Sequence, residues 1–139
     1  YQFYKLLFIY TKRMRSALSD LESLTIGLVV VLNTIDNKSF KVKDLNRKNW
    51  TELAQGADDV GVNAMSLSDI TGIPRPTVVR KIKILIEDNF LHINEKKLIT
   101  LNIKGSTLKK FTILQNKNMK NLSNFLYRIF NQIKITNTN

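Results

Sequence analysis

The chain of 139 residues contains no cysteine, which excludes disulfides, thiol redox sensing and cysteine-ligated zinc. Its one histidine, His92, has no acidic cluster beside it and reads as a structural or surface residue rather than a metal ligand or pH sensor. No phosphate-cradling glycine loop occurs. Asp58 and Asp59 are neighbours in a loop-like stretch, not spaced for acid–base or metal work. An enzyme is hard to assemble from this inventory, and neither cofactor nor metal is expected. The longest apolar run, Leu24 to Leu32, is too short to span a bilayer, and the opening YQFYKLLFIY lacks a cleavage-site pattern. No membrane partner is therefore expected, and a cytoplasmic location is favoured. The chain begins with Tyr1 rather than Met, so a native start is expected to be missing. There is no internal repeat.

Acidic residues are also scarce. Eleven Asp and Glu stand against 22 Lys and Arg, a formal charge of +11. Such a balance points to a polyanion, nucleic acid before anionic membrane, although a basic proteome or solubility would produce the same number. The length suits one domain with a proper core.

What is present is concentrated in residues 66–91, SLSDITGIPRPTVVRKIKILIEDNFL. Ser66 with Asp69 three positions on has the form of a capping box, and Leu67 and Ile70 give the short helix an inner face. Gly72 supplies the positive φ of a tight turn, and Ile73 plugs the angle between two helices. The second helix places Val78, Ile82 and Leu85 inward. Arg75, Val79, Arg80 and Lys83 fall on the other side. Pro76 disfavours helix at Arg75, which makes Arg75 the expected N-cap, Pro76 the first helical residue, and the start slightly frayed. Asn89 is expected at C′, in the left-handed conformation. Helix, turn and helix with a basic outer face is the layout of a major-groove reader, and Arg is the side chain that best reads guanine edges.

Residues 91–94 (LHIN) and 98–102 (LITLN) then alternate around Glu95, Lys96 and Lys97, a short hairpin with a charged tip. Lys96 and Lys97 are placed to meet phosphate or the minor groove, with a plain solvated turn as the alternative.

The run GIPRPTVVRKIKILIEDNFL, the hairpin and LNIKGSTLKKF together resemble the winged-helix regulators of the MarR (multiple-antibiotic-resistance) family. Arg75, Thr77, Val78 and Arg80 match its recognition-helix signature, and Leu101, Lys104 and Gly105 match the start of its last long helix. The resemblance covers residues 66–111 and implies a homodimeric transcriptional regulator with two recognition helices on a pseudo-palindromic site, often responsive to a small-molecule effector. Three features depart from the family pattern. Pro74 stands where a capping Ser is usual, Lys81 occupies an often apolar position from which its stem must snorkel, and residues 36–65 exceed the usual short link.

The two ends supply a way to dimerise. Phe3, Leu7, Tyr10, Met14, Ala17 and Leu21 step by fours and threes. So do Leu108, Phe111, Gln115, Met119, Leu122, Leu126, Ile129 and Ile133, with Phe125 and Phe130 adding width. A helix of about 30 residues is about 45 Å long and overhangs a small core, so a second subunit is the simplest cover, the alternative being a monomer whose end helices pack only on each other. Between the ends, Leu21 to Ile35 reads as the first domain helix, with Leu24, Leu28, Val31, Leu32 and Ile35 buried and Gly27 inside it. The insertion is basic at first (Lys38, Lys41, Lys43, Arg47, Lys48), with Asn49 capping a short helix anchored by Trp50. A solvated loop is favoured there over an arm that touches DNA or covers a ligand.

The expected fold is mainly α with a small β-hairpin wing (α+β): a winged helix-turn-helix with long N- and C-terminal dimerisation helices. Residues 1–20 form the first of these, 21–104 the DNA-binding unit with its insertion at about 36–65, and 105–139 the second. The expected function is sequence-specific binding of double-stranded DNA by a homodimer, with residues 76–88 in the major groove. Ser66, Arg75, Pro76, Thr77, Val79, Arg80, Lys83, Lys96 and Lys97 are the expected contacts. A nucleoid-type architectural protein and a winged helix used for protein interaction are the alternatives. They are separated by sequence preference and by the effect of changing Arg80.

Overall fold

The computed structural model describes residues 1–36 and 60–136 of the chain. The insertion's basic residues, Trp50 and Asp58–Asp59 lie outside the described residues. Among those described, five helices and one hairpin follow in the order α1 (Gln2–Leu18), α2 (Leu21–Asp36), α3 (Ala64–Thr71), α4 (Arg75–Glu87), β1 (Leu91–Ile93), β2 (Ile99–Leu101) and α5 (Ser106–Thr136). The mainly helical architecture with one small antiparallel sheet agrees with expectation. No single described helix is long and apolar enough to cross a membrane. Among the described residues, one bent pair reaches that length and composition, α1 with α2 across an 86° bend.

That bend corrects the first helix. The stripe from Phe3 to Leu21 does not lie on one helix, because α1 ends at Leu18 and Ser19 turns the chain at φ 67°. Asp20 then caps α2: its carbonyl accepts from Leu24 N (3.0 Å) and its Oδ1 from Ser23 N (2.8 Å). This pattern satisfies N–H groups that the first turn cannot pair internally. Leu21 is left 51% exposed.

The buried face of α2 is also not the expected one. Ser23, Leu24, Ile26, Gly27, Val30 and Thr34 face inward, whereas Leu32 is exposed and Leu28, Val31 and Ile35 are half-buried. The helix is apolar nearly all round, so periodicity does not choose a side. Small residues do: a Cβ on Gly27 would meet Phe90 Cε1 at 2.9 Å and Leu18 Cδ1 at 3.2 Å. The Phe90 ring fills that gap and packs on Phe111 with centroids 5.4 Å apart. Met14, Leu18, Ile26, Leu67, Val78, Leu85, Leu91 and Leu101 complete the centre of one core shared by all the elements.

In the hairpin, Leu91 pairs with Leu101, His92 with Thr100 and Ile93 with Ile99. Lys97 takes the left-handed conformation at its tip (φ 59°), and Asn94 closes the loop by accepting from Lys97 N on its carbonyl and Leu98 N on its side chain. His92 is half-buried with its ring nitrogens 3.2 Å from the Oγ1 of buried Thr100. The other edge of β2 carries an unexpected bridge, Val62 to Ile99, with both backbone hydrogen bonds made. Gly61 permits it, since a Cβ there would sit 2.5 Å from Leu98 Cβ and 2.9 Å from Thr100 Cγ2.

The α5 helix starts against the end of α4. A Cβ on Gly105 would strike the Asn89 carbonyl, and Thr107 Oγ1 donates to the Asp88 carbonyl. From there α5 runs antiparallel to α1. Lys110 Nζ reaches the Ser16 carbonyl (3.2 Å), Arg13 reaches Asn118 Oδ1 (3.2 Å), and the rings of Phe3 and Phe125 lie 6.5 Å apart. The terminal stripe is thus divided. Leu108 and Phe111 enter the core, Gln115, Leu122 and Ile129 are half-buried, and Met119, Leu126 and Ile133 stay exposed.

Candidate nucleic-acid interface

The residues that position α4 begin one helix earlier. Asn63, not Ser66, caps α3: its side chain accepts from Ser66 N at 2.9 Å, which makes Ser66 the third helical residue. The helix starts three residues before the expected position because Ala64, Leu67 and Thr71 form its inner face. Ile70 therefore points outward at 63% exposure, contrary to the expected packing. Gly72 does adopt φ 70°, and its N–H bonds to the Ser68 carbonyl. Two hydroxyls that periodicity ignores lock the turn: Ser68 Oγ donates to the Ile73 carbonyl (2.7 Å), and Thr71 Oγ1 accepts from Ile73 N (3.2 Å). Ile73 itself is half-buried against the core, as expected.

The start of α4 differs from expectation by one residue. Pro74 is the N-cap and Arg75 the first helical residue, with Pro76 second. The Pro74 carbonyl accepts from both Thr77 N (2.9 Å) and Val78 N (3.0 Å). The bias of Pro76 against helix at Arg75 is outweighed by that pair of bonds, and Pro76 has no N–H for the first turn to leave unpaired. At the other end the expected cap is present. Asn89 takes φ 57°, Phe90 N bonds to Leu85 O and Asn89 N to Ile86 O, the double bond pattern of a Schellman motif.

Between these caps α4 has two faces. Val78, Ile82 and Leu85 are buried, and Arg75, Pro76, Val79, Arg80 and Lys83 are exposed along the opposite side, with Thr77 half-buried in the first turn. Among the described residues, Arg75, Arg80 and Lys83 have no ion-pair partner. No acidic residue interrupts this face before Glu87. Lys96 and Lys97 are exposed on the hairpin tip, and Ser66 is half-buried on α3, so the expected contacts come from three elements rather than from one surface of one helix.

Lys81 corrects another expectation. Its ammonium does not snorkel to water but lies 2.7 Å from Asp20 Oδ2 and 3.3 Å from Glu22 Oε2, with the side chain only 10% exposed. The hydrogen bond to Asp20 raises the Lys81 pKa against the opposing effect of burial. For Asp20 burial alone pushes the carboxyl up, but Lys81 and the Ser23 N–H outweigh it and the net shift is downward. One carboxylate thereby caps α2 with one oxygen and fixes α4 with the other. Sequence periodicity had no means of finding this, since the partners are separated by 61 positions.

Among the described residues no three acidic or imidazole groups gather to hold a metal ion. No family model, curated protein or solved structure matches the chain.

Proposed function

We propose that α2–α4 with the hairpin act as a winged helix-turn-helix that reads double-stranded DNA as a homodimeric transcriptional regulator, with α4 in the major groove. The observation that carries this reading is the division of α4. Its one inward lysine is neutralised by Asp20 and Glu22, while Arg75, Arg80 and Lys83 remain unpaired among the described residues on the outer face. A helix in the major groove meets base-edge acceptors, and an arginine free of internal partners can make the bidentate contact with guanine. The order helix, turn, helix, hairpin, long helix agrees with the MarR-like pattern, as do Gly72, Arg75, Thr77, Arg80 and Gly105. Lys96 and Lys97 on the hairpin are assigned to the phosphate backbone.

Selection of bound duplexes from a random library at physiological salt tests the reading. Enrichment of an inverted repeat with half-sites about one helical turn apart is the expected result. Arg80→Ala should then cost about 1–3 kcal/mol on the selected site and relax preference at one base position. Lys97→Ala should weaken all sequences alike and lower the salt slope by about one. A library with no enriched sequence overturns the sequence-specific reading.

A further inference from the structure

All 11 acidic residues of the chain lie between Asp20 and Glu95. Residues 1–19 and 96–139 hold 13 of the 22 basic residues and no acid, ten of them on α1 and α5, while residues 20–95, with nine basic and 11 acidic residues, are slightly acidic. Helical spacing aligns five of these ten on two stripes. On α5, Lys110, Lys117, Asn121, Asn124 and Arg128 recur at intervals of 7, 4, 3 and 4, one stripe of an α-helix. On α1, Gln2, Lys5, Ile9, Lys12 and Ser16 recur at intervals of 3 and 4.

Antiparallel packing sets the two stripes side by side. The Lys110–Ser16 bond joins them near the core, and Gln2, Lys5, Asn121, Asn124 and Arg128 line one groove at the far end. Lys5, Lys12, Lys110, Lys117 and Arg128 are all exposed. Phe3, Leu7, Tyr10, Met119 and Leu122 line an adjoining apolar groove, which meets the polar one at Leu6 and Asn121.

We propose that this polar side of the α1–α5 pair is a second nucleic-acid site, a groove that holds the phosphate backbone of duplex DNA without reading its bases. Charge complementarity selects the occupant. With no acid on either helix, a second copy of the same face would be repelled. A bilayer would need apolar side chains to enter it, but Leu6, Ile9 and Phe125 lie half-buried in the groove between cations and amides. Amides and ammonium groups are donors suited to phosphate and sugar oxygens. From Lys110 to Arg128 the stripe is about 27 Å long, which is about eight base pairs of duplex. The site is independent of α4. The helix-turn-helix would select the sequence, and the helix pair would supply much of the sequence-independent affinity.

The test compares the full chain with Lys5→Gln/Lys117→Gln/Arg128→Gln and, separately, with Arg80→Ala. Binding to random-sequence duplex is measured as a function of salt. All four side chains are exposed, so circular dichroism should be unchanged in every variant. The triple variant is expected to lose affinity for random duplex on the order of a hundredfold at 0.15 M salt, and its log–log salt slope should fall by between two and three. Arg80→Ala should lower that slope by one at most. An unchanged slope in the triple variant overturns the groove whatever happens to sequence selection. Loss of binding to phosphatidylserine-containing vesicles with duplex affinity intact overturns it in favour of a membrane surface. Enrichment of a site by the triple variant leaves the helix-turn-helix reading standing by itself.

Discussion

Lys81 Nζ lies 2.7 Å from Asp20 Oδ2, which ties the inner face of α4 to the first turn of α2. The two residues do unequal structural work, and this yields a first prediction. Asp20→Ala removes the cap of α2 and leaves an almost buried ammonium with Glu22 alone. It should destabilise by about 2 kcal/mol, combining a lost cap with a weakened buried pair. Lys81→Met keeps the volume, leaves Asp20 capping Ser23 and removes the charge that had to be desolvated. It should fall within about 1 kcal/mol of the parent. Urea unfolding midpoints measure both, and equal losses would refute the division of roles.

The same pair sets a pH window. The Asp20 carboxyl is held below its ordinary 3.8 in the folded chain, so its contribution is complete above that value and disappears as pH falls through the folded pKa. The Lys81 ammonium is raised above 10.5, so its contribution is complete below that value and is lost as pH rises through the folded pKa. Between pH 5 and 9 the pair should therefore contribute a constant amount. Without the ammonium, burial pulls the Asp20 carboxyl back up. Lys81→Met should then lose less stability than the parent between pH 5 and 3, read from urea midpoints across that range. Parallel pH profiles for the two proteins would remove the pair from the acid response.

Two glycines should respond to alanine in a definite order. At Gly27 a Cβ gains about 1 kcal/mol of helix propensity but presses on the Phe90 ring, and overpacking of this kind costs about 1–3 kcal/mol, so the net loss should be about 1 kcal/mol. Repacking with Phe90→Leu in the Gly27→Ala background should recover part of it. At Gly105 the obstacle is the Asn89 carbonyl, main chain held by the Schellman bonds of α4. A ring can tilt and a capped carbonyl cannot, so Gly105→Ala should cost more than about 2 kcal/mol. Thermal denaturation of the two variants settles the order.

Much of this architecture was legible in advance where one residue type has one physical use. Gly72 and Asn89 both take the positive φ their positions implied, and Val78, Ile82 and Leu85 are buried. The misplaced features have a common cause, competition between local rules that sequence alone does not rank. Ser66 and Asn63 are both good caps, and the inner face of α3 selected Asn63. Pro74 and Pro76 both fit a helix start, and the double acceptance at the Pro74 carbonyl selected Pro74 as the cap. On α2 too many apolar residues were available, and Phe90, distant in sequence, selected the side with Gly27. The partners of Lys81 and the pairing of the α1 and α5 basic stripes are likewise long-range facts. The exposure of Arg75, Pro76, Val79, Arg80 and Lys83 on α4 was legible because the opposite face is apolar, a pattern that spacing does encode.

The remaining apolar surface bears on assembly. Phe3 (56% exposed), Leu7 (50%), Met119 (60%), Leu126 (43%) and Phe130 (62%) lie along the helix pair, on the stripes whose other members contact the core. An apolar face of this extent is normally covered in solution, and the homodimer is the proposed cover. If two copies meet there, Leu126→Glu/Phe130→Glu should convert a dimer into a monomer by sedimentation equilibrium. A charge forced into a desolvated apolar interface is not tolerated. The secondary structure should be preserved, because both positions are exposed within one chain. The monomer should also lose affinity for an inverted repeat far more than for a single half-site, since the linked second contact disappears. A parent chain that sediments as a monomer, or a double variant that remains dimeric, would place the contact between subunits elsewhere.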